Sequence, residues 1–425
     1  MPNTNTTSIN RSQVIFPKIL LYILAAFYLV NCFTPLRLHV DMIRYFDIKD
    51  CIEYGCAPDS TAALDYLPYG YTVLLLILSK TGLLKSFTLV LINCLYLAGS
   101  LYLVKRIFEP ANRTLLFLML VLLNWTVIKF VAHPLSEMQY LFFSMASLYF
   151  FYRYTHNKKL TTLIFAFVFG GLAFLTRTVG IALAAALVTG LLWQYRKELI
   201  ALIRKNRILI GIILLAVIGV VVFSKQLGLN HYTGVMSRQF DDGLTLKEIL
   251  EWHFTEWTEL FVNTSVVKVL PYLPATIGKP LFVIAGIGFL ISMAYLIFIR
   301  KTTIPFVVKA YLFYYIILMF NWPFYDPRFW VPLVPLLAVI VAMVPFRAPA
   351  WKVSGIAFLV VYGALGMVAL GYMTYTSLNK EVMARRHANG VYRNEYETVF
   401  FGKAQTDTAK HIDPTVLNIL KRYNK

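Results

Sequence analysis

Charge is scarce in this chain. Only 14% of its residues are Asp, Glu, Lys or Arg while 59% are apolar, well outside the averages for soluble domains, so water alone cannot solvate it. Acid is the rarer sign, with 21 Asp and Glu against 40 Lys and Arg and a formal charge of +19. There is no Gly-rich nucleotide loop, no His-x-x-x-His or Cys-x-x-Cys ligand pattern, no internal repeat and no low-complexity linker. The polar N-terminus lacks a small-residue cleavage site after its first apolar run, which reads as a retained first helix with Arg11 and Lys18 in the cytoplasm. Of four cysteines, Cys32 and Cys94 lie in or beside helices. Cys51 and Cys56 share one polar loop, where a bridge forms if the loop faces an oxidising compartment; two free thiols are the other reading.

What is present is a series of apolar runs from Phe16 to Met373, each near the roughly 20 residues that a transmembrane helix needs. The expected fold is an all-α polytopic membrane protein with about eleven spans, near 17–33, 86–104, 114–131, 138–152, 161–176, 178–194, 208–224, 281–299, 307–321, 330–345 and 354–373. Charge tests this assignment. Starting inside, every second break is basic: Lys105, Arg106 and Arg113; Arg153, Lys158 and Lys159; Arg196, Lys197, Arg204, Lys205 and Arg207; Arg300 and Lys301; Arg347 and Lys352. That is the positive-inside pattern, so the net charge reads as topology and not as a nucleic-acid surface. The segment 69–84 is apolar but short. Counting it as a span would invert everything downstream, so it reads as a helix in or dipping into the interface.

This topology makes 1–373 one transmembrane domain with outer loops 34–85 and 225–280, and 374–425 a small extramembrane segment on the outer side. In the second outer loop Ile249, Trp252, His253, Glu256 and Trp257 follow a helical spacing, read as an amphipathic helix resting on the membrane surface. Four ionisable sites fall at outer helix ends: Asp41 in HVDMIRYFDIKD, His133 and Glu137 in AHPLSEMQY, Arg177 in FLTRTVG and Arg328 in YDPRFWVP. Ionisable groups at the edge of an apolar core are expensive and tend to line cavities or meet partners. Arg177 and Arg328 also suit snorkelling to lipid headgroups, and Asp47, Asp50, Asp241 and Asp242 suit solvated loops.

Carboxylates beside arginines fit a reaction in which a base activates an acceptor while cations hold a phosphate leaving group. A proton-coupled transporter uses similar residues, more typically at the midplane on Gly- or Pro-broken helices in repeated halves. No such pairing is present, although Gly170, Gly171 and Gly180 flank Arg177. A membrane acyl- or phosphotransferase with the same outer cavity is a third reading.

In order and side, these residues resemble the GT-C superfamily of membrane glycosyltransferases, which use polyprenyl-phosphate-linked sugars and include protein O-mannosyltransferases and lipid A aminoarabinose transferases. The likeness covers most of the membrane region. It rests on Asp41 with an aromatic, Tyr45, four residues on; on Glu137 in PLSEMQYLFFSMASLYFF; and on Arg328 in RFWVPLVP, with Pro332 and Pro335. The chain departs from the pattern at Met42, where several of these families place Glu after the Asp, and at Glu137, where others have Asp.

The resemblance implies a GT-C-like bundle with interfacial helices in the first outer loop. It makes Asp41 the general base and Glu137 the group that orients the acceptor or a sugar hydroxyl. Arg328, Arg177 and His133 would hold the donor phosphate, and Tyr45, Asp47 and Tyr325 would contact substrate. An apolar groove would take the polyprenyl tail. The reaction expected is one in-line displacement with inversion, from a polyprenyl-phosphate sugar to a lipid, glycan or protein acceptor. It would take place at the periplasmic face of the inner membrane, among membrane lipids and without nucleic acid. Because no Gly-rich loop is present, a nucleotide-sugar donor is disfavoured. Asp41 and Glu137 would be two ligands of a divalent cation, as in the oligosaccharyltransferase branch, but no third acidic motif is present, so no metal or other cofactor is expected.

Overall fold

The computed structural model describes residues 11–110, 113–198, 200, 234, 237, 239, 243–300, 303–344, 349–404 and 412–424. Among them there are helices and no strands. The expected span 208–224, and Asp241 and Asp242, lie outside the described residues; helix covers most of the described part of each of the other ten expected spans. The helices are α1 (Arg11–Asn31), α2 (Val40–Tyr54), α3 (Tyr69–Lys80), α4 (Ser86–Phe108), α5 (Thr114–Leu122), α6 (Trp125–Val131), α7 (Ser136–Asn157), α8 (Leu160–Thr176) and α9 (Gly180–Gln194). They continue with α10 (Leu246–Val262), α11 (Ala275–Ala294), α12 (Phe306–Phe320), a 3-10 turn over Pro327–Leu333 leading into α13 (Val334–Ala342), and α14 (Pro349–Leu378). Three short helices end the series: α15 (Lys380–Arg386), α16 (Arg393–Phe401) and α17 (Pro414–Tyr423).

By length and apolarity Ser86–Phe108, Thr276–Ile299 and Val353–Leu378 each suffice to cross a membrane, which makes this a multi-pass membrane protein. A fourth apolar stretch is bent. The run expected as one span over 114–131 is two helices, α5 and α6, meeting at 63°. Asn124 causes the break: its side-chain oxygen accepts from the N–H groups of Thr126 and Val127 and so starts α6, while its amide nitrogen donates to Leu260 O and the Tyr362 hydroxyl. Asn263 donates to the Leu123 carbonyl that the break leaves free. Helix α3, at twelve residues, is about 18 Å long and well short of a bilayer.

Helix α10 departs from its expected place. Thr245 and Glu248 form a capping box at its start, but His253, Glu256, Trp257, Thr258 and Glu259 are buried against protein. Polar positions that suggested a wet face are paired inside the fold, and their partners, far off in sequence, gave no local signal. Its contact with α11 is backbone on backbone: a Cβ built on Gly286 would lie 1.8 Å from Phe254 O. Gly286→Ala is therefore expected to prise the two helices apart at a cost of about 3 kcal/mol, the upper range for overpacking. Thermal denaturation in detergent checks this, with Gly288→Ala, whose Cβ meets nothing within 4 Å, as the silent comparison.

The C-terminal segment packs on the segment between α1 and α3, and α14 runs past residue 373 to Leu378. Asn424 Oδ1 accepts from Leu36 N at 2.8 Å, the Tyr396 hydroxyl accepts from Leu38 N and donates to Leu36 O, and the Lys49 ammonium donates to the Tyr423 hydroxyl at 2.8 Å. Within the segment between α1 and α3, Cys51 and Cys56 are joined as a disulfide with Cα atoms 4.9 Å apart. Arg44 clamps Asp65 with two bonds, of 2.7 and 2.8 Å.

Candidate active site

Asp41 lies in the first turn of α2, where a carboxylate suits the helix dipole, and His39 caps the same turn by accepting from Asp41 N at 3.4 Å. Across from it another apolar helical stretch begins at Asp-Pro-Arg. Asp326 caps this turn by accepting from Arg328 N at 3.0 Å, and Pro327 takes the first position, where a missing N–H costs nothing. The turn presents Arg328 to α2, with Nη2 2.5 Å from Asp41 Oδ2 and Nε 2.8 Å from Asp326 Oδ2.

Glu137, in the first turn of α7, is paired with Arg177, the residue that ends α8. Its Oε1 is 3.7 Å from Arg328 Nε, which joins the two pairs into one cluster of three carboxylates and two guanidiniums. The Phe329 ring lies beneath both arginines, 5.0 Å from Arg328 and 5.6 Å from Arg177. Asp41 is 24% exposed and reachable, while Glu137 is 1% exposed. Among the described residues the second oxygen of Glu137, Oε2, is buried without a hydrogen-bond partner. Burial raises the Asp41 carboxyl, but Arg328 and His39 more than offset this and hold it below its usual range. Burial and Arg328 hold His39 below its usual value, so it is neutral at pH 7.

Four of the residues singled out in the sequence thus meet: Asp41, Glu137, Arg177 and Arg328. Tyr45 lies under them, donating to Ser136 Oγ at 3.2 Å, and is buried as a brace between α2 and α7. Three residues do not join the cluster. His133 donates from Nδ1 to Lys129 O at 2.6 Å and faces His387, with ring centres 5.4 Å apart; burial holds it well below its usual value, so it brings no positive charge to a phosphate. Asp47 is pushed up to about 6 by burial, with Asp50 and Asp413 adding. Tyr325 donates to Glu259 Oε1 at 2.7 Å. His39 and Asp326 were missed, although an Asp directly before Pro is itself a helix-start signal.

Behind the Asp-Pro-Arg turn, Glu256 of α10 accepts from Asp326 N at 2.5 Å and Trp330 Nε1 at 2.6 Å, and meets His253 Nδ1 at 2.6 Å. Burial pushes the nearby Glu259 up to about 7. A carboxyl raised in the folded state stabilises the fold fully below its unfolded value near 4.3, and that contribution is lost as pH rises through the folded value. The thermal midpoint is therefore expected to fall between about pH 5 and pH 8, and Glu259→Gln to reduce the slope. A slope of equal size in the variant would assign it to other groups, Asp47 first.

No protein-family model and no curated relative matches the sequence. Among solved structures the chain is similar to the crystal structure of ArnT from Cupriavidus metallidurans bound to undecaprenyl phosphate. The identity is 17% and the TM-score 0.48, over 90% of this chain and 68% of that one.

Proposed function

We propose that the chain is an inverting glycosyltransferase that moves a sugar from a polyprenyl-phosphate donor to a hydroxyl of a lipid, glycan or protein acceptor. The site would open at the periplasmic face of a bacterial inner membrane, the orientation that the alternating basic loops favour. The observation that carries the reading is the 2.5 Å pairing of Asp41 with Arg328 at the edge of an apolar bundle, which sets a base beside a cation suited to a phosphate oxygen.

In this reading Asp41 takes the proton of the acceptor hydroxyl as its oxygen bonds to the anomeric carbon. The bond from that carbon to the phosphate oxygen breaks on the opposite face, its electron pair leaves with the polyprenyl phosphate, and the anomeric centre inverts. Arg328, backed by Arg177, neutralises the charge developing on the leaving group, a role worth about 10²- to 10³-fold where a single donor is removed. Glu137, buried and paired with Arg177, would hold that guanidinium in place behind Arg328.

Each carboxylate of the cluster already faces a guanidinium. In this reading the carboxylates are engaged by guanidiniums and the transfer needs no metal. The test is release of free polyprenyl phosphate from a panel of polyprenyl-phosphate sugars by purified protein supplied with candidate acceptors. Acceptor-dependent release that persists in excess chelator is expected. Release that stops with chelator would overturn metal independence, and no release from any donor would overturn the transferase reading.

A further inference from the structure

The last turns of α2 join three helices around one buried cation. The Lys49 side chain has no solvent exposure. Its ammonium meets Asp50 at 2.5 Å and Glu53 at 2.8 Å on its own helix, and donates to the Tyr423 hydroxyl of α17 at 2.8 Å. Glu53 also accepts from Ser79 Oγ of α3 at 2.9 Å and pairs with Lys80 at 3.5 Å. Asp50 faces Arg422 of α17 at 3.5 Å, the Tyr54 ring stands 5.8 Å from the same guanidinium, and the Phe46 ring stacks on Tyr423 with centres 4.9 Å apart. Val416, Ile419 and Leu420 complete the buried face of α17.

The Cys51–Cys56 bond closes around this helix end. It brackets Glu53, Tyr54 and Gly55, and Gly55 caps α2 by donating from its N–H to Cys51 O at 3.0 Å, at a φ of +83° that glycine alone takes readily. The last turn of a helix leaves carbonyls unbonded and opens easily unless it is held. A cross-link over five positions in sequence restrains the unfolded chain less than a long one does, so its effect is local. Cys56 is exposed and Cys51 half-buried, within reach of a soluble dithiol, and exposed disulfides are the ones that exchange. What spreads the change is Lys49. A buried ammonium that loses its carboxylates is strongly destabilising. Once the turn opens and Asp50 and Glu53 move away, Lys49 is stable only in water, and reaching water means letting go of Tyr423.

We propose that the Cys51–Cys56 disulfide is a redox lock on α17: closed, it holds α17 on α2, and when a dithiol reduces it α17 lifts off. The attacking thiolate bonds to the Cys56 sulfur, and the S–S bond breaks with its electron pair on Cys51. The second thiol of the reductant then displaces Cys56. Two electrons and two protons pass to the protein, and the reductant leaves as its own disulfide. Because Asn424, next to α17, holds Leu36 N, the release also loosens the strap that leads to Asp41. The lock goes beyond the transferase reading and stands without it.

Hydrogen–deuterium exchange read by mass spectrometry tests this on the full chain in detergent, before and after dithiothreitol and again after reoxidation with oxidised glutathione. Dithiothreitol is expected to expose Cys51 and Cys56 to alkylation and to speed exchange of the α17 amides by roughly tenfold or more. Amides of α4 and α7 are expected to hold their rates, and reoxidation to restore α17. The double variant Cys51→Ser, Cys56→Ser is expected to exchange at the fast rate in both conditions. Lys49→Met, which keeps the length of the side chain and removes the ammonium, is expected to keep α17 slow whether or not the disulfide is reduced. Equal α17 exchange in the two redox states overturns the lock. So does a disulfide that dithiothreitol leaves intact in the folded protein, or acceleration spread evenly over all helices, which makes the bond a staple of the whole fold. A Lys49→Met protein that still responds to reduction overturns the role given to the lysine.

Discussion

Asp41→Asn is expected to lower the turnover of sugar transfer by about 10²- to 10⁴-fold, the range for losing a general base, while affinity for polyprenyl phosphate stays within a few-fold. Asparagine keeps the shape of the side chain and can still accept from Arg328 through its amide oxygen, so the 2.5 Å contact is weakened and not replaced by a void. What is lost is the negative charge and the basicity that let the side chain take the acceptor's proton. Because Arg328 and His39 hold the Asp41 carboxyl below its usual range against the pull of burial, the base is ionised throughout the neutral range. Wild-type turnover is accordingly expected to be flat from about pH 6 to pH 8, without the rise that a histidine base near 6.5 would give. The measurement is kcat against donor affinity. A variant with unchanged kcat and a large loss of donor affinity would make Asp41 a positioning residue for Arg328 and remove it as the base.

Glu256→Ala is expected to cost about 3–5 kcal/mol, the range for removing one partner of a buried ion pair. Proton counting around this side chain explains the size. His253 donates from Nε2 to Trp322 O at 2.7 Å, so the 2.6 Å contact between Nδ1 and Glu256 holds a single shared proton, either on the ring or on the carboxyl. The same carboxyl also accepts from Trp330 Nε1 and Asp326 N. Alanine strands these groups in a buried place, and each unsatisfied group costs about 1–3 kcal/mol. Little or no monodisperse protein is expected from this variant. Glu256→Gln retains two polar ends and is expected to fold. Its turnover is expected to fall while donor affinity holds, because the Asp326 backbone that aims Arg328 loses its charged anchor. A Glu256→Ala protein with wild-type thermal behaviour would show that the network does not hold the turn.

The residues legible in the sequence were those marked by a change of environment. Asp41, Glu137, Arg177 and Arg328 each interrupt an apolar run at a helix end, where a charge is costly and therefore conspicuous. Topology placed them on one side before any contact was known. The apolar runs were legible for the same reason, through length and flanking charge. Pairings that depend on distant segments left no trace: Asp326 and His39 are 287 positions apart in numbering and meet only in the fold. Helix α10 was misplaced because His253, Glu256 and Glu259 are polar whether they face water or one another. The break at Asn124 was hidden because one polar residue in an apolar run is common, and only its contacts with Leu260 and Tyr362 show that it divides the run.

The bonds from Asn424 to Leu36 and from Tyr396 to Leu36 and Leu38 set an order of events during biosynthesis. The strap that leads into Asp41 leaves the ribosome long before the side chains that fix it, which lie 360 and 388 residues further along the chain. Every intervening span must be inserted before that strap settles. While the residues between them are being made the proposed site therefore stays incomplete, and it is finished only when Tyr396 and Asn424 have closed on the strap.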